Sequence, residues 1–169
     1  MPGGKAYKTP QALRIALEAR LLETAKRTGI DLQRLRRRVA CDRLLARMFS
    51  ARSDRPAWYL KGGYAIELRI KSARTTKDID LSIAGREPID AAQLHQMVDD
   101  AASLDLADGF LFQVGESILS LDTAPKGGSR FPVQARMAGR PFVGFHVDTG
   151  IGDALAAPDP NQHGRLDSR

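Results

Sequence analysis

The chain has 169 residues, 43% hydrophobic and 27% charged, with a formal net charge of +6. That suits one folded domain, with or without a small appendage, and excludes a collagen-like repeat, an acidic disordered tail and a membrane channel. No apolar run reaches the roughly 20 residues of a spanning helix. Met1-Pro2-Gly3-Gly4-Lys5 lacks the apolar core of a secretory signal, and lone Cys41 can close no internal disulfide, so a cytoplasmic location is expected.

Taken in chain order, Thr9-Pro10 reads as an N-cap and first helical turn, and Leu13, Ala16, Leu17, Leu21 and Ala25 recur at helical spacing up to Gly29. Asp31 caps a second predicted helix to about Ser50, with the apolar stripe Leu32, Leu35, Val39, Leu45, Met48 and Phe49 and a basic opposite face carrying Arg34, Arg37 and Arg38. Residues 1–77 hold 19 Lys/Arg against 6 Asp/Glu, and residues 78–169 hold 7 against 14. A basic front half suits a polyanion such as RNA or a nucleotide, or simply a solvated helical face. Arg34, Arg36, Arg37 and Arg38 span a full helical turn, so they cannot all face one ligand.

The pattern then turns to mixed α/β. Trp58-Tyr59-Leu60 is a short strand that ends at Lys61-Gly62-Gly63, and a helical turn or two is expected over Ala65 to Ile70. Asp78 to Ile83 alternates strictly, Pro88 to about Leu104 reads as a helix, and Phe110–Val114 and Ser117–Leu121 read as strands. Phe131–Met137 and Pro141–Asp148 read as a hairpin turned by Ala138-Gly139-Arg140. Trp58, Phe49 and Cys41 are expected in the core. The Pro-rich polar tail from Ala154 is expected to be disordered.

The chemistry concentrates in three places. In a strand, Asp78 and Asp80 share one face about 7 Å apart, at a rise of about 3.3 Å per residue. Two like charges so placed suit a hard divalent cation carrying substrate phosphates. Gly62-Gly63, between a strand and a helix, allows a phosphate to approach the backbone closely. Fourteen residues separate Gly63 from Asp78. Asp148 supplies a third carboxylate at the end of an alternating strand and shares a face with His146. Asp148 can alternatively cap the turn at Thr149-Gly150, and His146 reads as a structural residue first and as a supporting or substrate contact second. No Walker loop, G-x-S-x-G or H-E-x-x-H is present.

Leu60-Lys61-Gly62-Gly63-Tyr64-Ala65-Ile66-Glu67-Leu68-Arg69, then Thr76-Lys77-Asp78-Ile79-Asp80-Leu81, resembles the core of the AbiEii/AbiGii nucleotidyltransferase toxin family. Leu13–Leu21 and Val147–Asp153 are also similar to it, so the resemblance covers about residues 7–158. It implies an α+β fold of the DNA polymerase β-like nucleotidyltransferase superfamily, a mixed sheet flanked by helices with an N-terminal helical pair. The expected parts are a basic helical segment at 1–54, a nucleotidyltransferase core at 55–153 and the tail at 154–169.

On that resemblance, Gly62 and Gly63 hold the triphosphate, Lys61 and Arg74 contact phosphate, and Asp78, Asp80 and Asp148 form the catalytic and Mg²⁺-binding set. The implied function is that of a toxin of a toxin–antitoxin or phage-defence system. It would transfer a nucleoside monophosphate from an NTP to an RNA end, tRNA foremost, and be countered by a separate antitoxin. The family's later Ala-Glu-Lys and Lys-Asp motifs do not appear, and no lysine follows Lys126. The chain therefore reads as truncated and catalytically impaired. The alternative reading is a non-catalytic remnant that binds RNA or an antitoxin.

Overall fold

Alternating apolar residues build one buried sheet face, and helices cover it. The computed structural model describes residues 7–50, 58–62, 78–84, 89–120 and 128–152. Helices α1 (Pro10–Thr28) and α2 (Leu32–Met48) are followed by strands β1 (Trp58–Lys61) and β2 (Asp78–Ala84), helix α3 (Ala91–Ala102), and strands β3 (Phe110–Val114), β4 (Leu119–Ser120), β5 (Gly128–Met137) and β6 (Arg140–Gly152). The result is an α+β fold with a mixed sheet in the order β1-β2-β6-β5-β3, β4 pairing separately with β5. β2 and β6 are parallel, and every other pairing is antiparallel.

The caps sit where their chemistry places them. Thr9 Oγ1 accepts from the Ala12 amide, and Asp31 accepts from the Arg34 amide. Helix α3 begins later than the apolar pattern suggests, because Asp90 and Gln93 form a reciprocal capping box that defines its first turn. The β5–β6 turn is Ala138-Gly139, with φ of 49° and 73°, and Met137 pairs with Arg140. That is the two-residue left-handed turn that matches strand twist, so Arg140 belongs to β6 rather than to the loop. β3 and β4 share one edge of β5. They part around Pro132, which has no N–H to donate, although its carbonyl accepts from Gly115 at 2.8 Å.

Ile79, Leu81 and Ile83 of β2 face the same side as Phe131, Val133 and Ala135 of β5 and Phe145, Val147 and Ile151 of β6, and all are buried. Leu94, Val98, Ala101 and Ala102 of α3 close over them, as do Leu35, Ala40, Cys41, Leu44, Leu45 and Met48 of α2. Full burial of one such aliphatic or aromatic side chain contributes about 1.5–3 kcal/mol. Trp58 and Cys41 lie in this core. Phe49 does not: it is 48% exposed, because α2 ends at Met48 and Phe49 is its C-cap, one step past the buried stripe. The turn expected over 64–70 and the tail from Ala154 lie outside the described residues.

Two arginines tie the helical pair to the sheet. Arg14 of α1 donates to the carbonyls of Met137, Arg140 and Pro141, gripping the β5–β6 turn. Arg47 of α2, which the sequence reading did not single out, is only 1% exposed. Its guanidinium forks onto Asp108 at 2.9 and 2.7 Å, donates to the carbonyls of Arg43 and Phe110, and lies 4.9 Å from the Phe112 ring centroid. A fixed planar fork with several acceptors is what makes a buried guanidinium tolerable.

Burial opposes the Asp108 carboxylate. Hydrogen bonds from Arg47 and the Phe110 amide, with the charges of Arg47 and Arg43, outweigh that and hold its pKa below the usual carboxylate value. A depressed carboxylate pKa stabilises the fold above the unfolded value near 4, and the benefit is lost as pH falls through the folded value. Asp108→Ala is expected to remove about 3–5 kcal/mol from urea unfolding at pH 7, because it strands Arg47. The gap to the wild type should narrow below about pH 4. A variant as stable as the wild type at pH 7 would show that the pair does not anchor α2.

Candidate functional site

The face of the sheet opposite the helices carries a transverse row of charges. Lys61 pairs with Asp80 across β1–β2, Asp80 with Asp148 across β2–β6, and Asp148 with Arg130 across β6–β5. Cross-strand partners point the same way, so four adjacent strands place cation, carboxylate, carboxylate and cation side by side. One step along, Asp78 pairs with His146. The three carboxylates singled out in the sequence therefore meet on one face, Asp78 and Asp80 by the two-residue period and Asp148 by the parallel register.

Two unit charges one strand apart repel by about 3 kcal/mol at an effective dielectric near 20. Arg130 offsets this. Its Nε and Nη2 lie 2.7 and 2.6 Å from the two oxygens of Asp148, and Nη2 is 3.6 Å from Asp78 Oδ2. Those hydrogen bonds hold the guanidinium more firmly protonated than usual. Nδ1 of His146 lies 3.1 Å from Asp78 Oδ1. Asp80 has the least help: burial, then the charges of Asp148 and Asp78, raise its pKa above the ordinary carboxylate value, and Arg130 only partly opposes them.

Among the described residues, no group of three or more His, Cys, Asp or Glu is gathered as a ready metal cage. The guanidinium of Arg130 bridges Asp148 and Asp78 instead. The donor set is nonetheless of the right kind for a hard divalent cation, three carboxylates on one face whose mutual repulsion a cation would relieve.

Gly62 closes β1 with φ +68°, and a Cβ there would collide with Asp80 Oδ2. The position therefore needs glycine twice, for its backbone conformation and for the carboxylate lying against it. Lys61 reaches along the same face, its Nζ 2.9 Å from where a Cβ on Gly152 would lie. Gly63 and Arg74 lie outside the described residues.

Arg130 escaped the sequence reading. In Gly128-Ser129-Arg130-Phe131 it looks like an ordinary strand-edge cation. The available signal was parity: it alternates with buried Ser129 and Phe131, which puts it on the polar face.

A mixed sheet bearing D-x-D beside a glycine-terminated strand, with a third aspartate on the neighbouring parallel strand, is the architecture expected of a nucleotidyl transferase. The family model described as nucleotidyl transferase AbiEii toxin, Type IV TA system, matches residues 43–165, and the chain belongs to that family. No curated protein matches the chain. Membership makes it a nucleotidyl transferase toxin of a toxin–antitoxin system, with a nucleotide substrate and an antitoxin partner. Transferases of this kind generally use a divalent metal. No helix among the described residues is long and apolar enough to cross a membrane.

Gly139 has a similar φ of +73° but, among the described residues, nothing within 4 Å of a Cβ placed there, so it isolates the backbone cost. Gly139→Ala should cost about 1–2 kcal/mol in urea unfolding, and Gly62→Ala more. The excess should shrink when both glycine changes are remeasured in an Asp80→Ala background, which removes the carboxylate but keeps the Cβ 3.0 Å away. An excess undiminished there would mean that the Asp80 carboxylate is not what Gly62 accommodates.

The raised Asp80 pKa means that the folded state disfavours its ionised form. Wild-type stability from this group therefore falls as pH rises past the unfolded value near 4. Asp80→Asn is expected to raise the unfolding temperature at pH 7 and to leave it unchanged at pH 3. A lower melting point at pH 7 would contradict the repulsion inferred here.

Proposed function

We propose that the chain transfers a nucleoside monophosphate from an NTP to a terminal hydroxyl of RNA, tRNA foremost, in the cytoplasm. The observation that carries this reading is the cross-strand row of Asp80 and Asp148, with Asp78 beside it and Gly62 against it. In the reaction the acceptor oxygen attacks the α-phosphorus, a P–O bond forms, the bond to the β-phosphate oxygen breaks, pyrophosphate leaves, and the hydroxyl proton is released.

Asp78, Asp80 and Asp148 would hold Mg²⁺, which when bound neutralises triphosphate charge and lowers the pKa of the attacking hydroxyl. Gly62 and Gly63 would let the triphosphate approach the backbone, and Lys61 and Arg74 would pair with its oxygens. Arg130 would release Asp148 and Asp78 and turn toward the incoming phosphate, exchanging one anionic partner for another.

One observation favours the second reading, a non-catalytic chain that binds RNA or the antitoxin. Arg130 already engages both oxygens of Asp148, at 2.7 and 2.6 Å. A carboxylate so paired gives up a ligand position only if the cation can leave.

Incubation with labelled NTPs, Mg²⁺ and tRNA tests the choice. Incorporation by the wild type should fall at least about 10²-fold in Asp78→Asn, with an unchanged far-UV spectrum. Label transfer that survives Asp78→Asn would overturn the assignment. RNA binding without any incorporation would support the second reading.

A further inference from the structure

We infer that a cavity beside the carboxylates is the seat of a phosphodiester of the RNA acceptor strand, and that Arg37 is its phosphate-recognising residue. The inference deepens the transfer reading above and rests on it for the identity of the occupant. The cavity is about 720 Å³, and Arg37, Asp78, Gln113, Arg130, Gln134 and His146 supply its polar lining. Among the described lining residues, two guanidinium groups, two amides and an imidazole face a single carboxylate. That carboxylate, Asp78, is already engaged by His146 at 3.1 Å and approached by Arg130 at 3.6 Å. Arg130 is committed to both oxygens of Asp148, so among the described lining residues the anion-seeking charge is that of Arg37.

Arg37 is the distinctive member. Four arginines crowd positions 34 to 38, and the fold separates them. Arg36 turns back to Glu18 at 3.0 and 2.6 Å. Arg37 instead lines the cavity, with its Nε shielded from water and, among the described residues, without a hydrogen-bond partner. A shielded N–H without an acceptor carries a desolvation penalty that an arriving anion would relieve. A planar guanidinium suits a phosphate with two free oxygens.

The place of the cavity selects the acceptor rather than the NTP. In the strand order β1-β2-β6-β5-β3, the carboxylates sit on β2 and β6. Gly62 lies on the β1 side, against Asp80, whereas Arg130 and Gln134 on β5 and Gln113 on β3 lie on the other side and line the cavity together with Asp78. A triphosphate against Gly62 leaves this second side for the strand that brings the attacking hydroxyl. Gln113 and Gln134 offer amides suited to ribose hydroxyls and base edges, the groups by which single-stranded RNA is read.

The test is fluorescence anisotropy of a labelled single-stranded RNA, without NTP, across a salt series, with Mg²⁺-ATP binding measured separately by calorimetry. Arg37→Gln should weaken RNA binding about tenfold and reduce the salt slope by about one, with ATP binding unchanged. Arg27→Gln removes the same charge from an exposed site at the end of α1 and should have a smaller effect on both. Arg37→Lys, which keeps the charge and loses the fork, should recover the salt slope but not the full affinity.

RNA affinity and salt slope equal to the wild type in Arg37→Gln would overturn the inference, as would a loss confined to ATP. Arg37-dependent RNA binding by a wild type that incorporates no label would strike at the transfer reading alone. Incorporation by the wild type with RNA binding indifferent to Arg37 would strike at this inference alone.

Discussion

Two carboxylates held side by side across a parallel strand pair are the constraint around which the polar face is organised. Asp80 and Asp148 are direct partners in the β2–β6 ladder, and like charges opposite each other weaken a sheet. The fold tolerates them because Arg130 on β5 supplies a cation in the same row, and because the opposite face is apolar and buried. The compensation is uneven. Arg130 engages Asp148 and approaches Asp78, and Asp80 is left as the most frustrated group, with its pKa raised. A site that stores repulsion in this way has affinity for a further cation built into it, and local cost of that kind is common where binding or chemistry takes place.

The helical pair does more than cover the sheet. Arg14 grips the β5–β6 turn, and Arg47 reaches through the core to Asp108 and the start of β3. The first holds α1 against the strands that carry Asp148 and Arg130, and the second holds α2 against the start of β3. That anchoring sets where Arg37 stands relative to Asp78. The basic front half of the chain is therefore divided by the fold into three uses: internal ties, surface ion pairs such as Arg36 with Glu18, and a charge turned toward the site.

Much of this was legible because it depends on short-range rules. Thr9, Asp31 and Gly29 mark helix ends by local hydrogen bonding, and the alternation in Asp78–Ile83 assigns each side chain to a face. Phe49 was misplaced because a one-residue shift of a helix end moves a side chain from core to surface, and apolar periodicity cannot resolve ends that finely. Arg47 was hidden for a different reason. A buried arginine is unfavourable unless distant acceptors converge on it, and Asp108 lies 61 residues away along the chain.

The sequence by itself determined the parts: a basic helical pair, a glycine-terminated strand, a D-x-D strand and a later strand ending in aspartate, each set by periodicity and capping within a few residues. Only the tertiary structure decided their meeting. The β2–β6 register put Asp80 opposite Asp148, antiparallel pairing brought Arg130 onto both acidic strands, and helix docking chose Arg37 from among its neighbours. Register and docking arise from packing between segments tens of residues apart, where a shift of one residue would send every side chain of a strand to the other face.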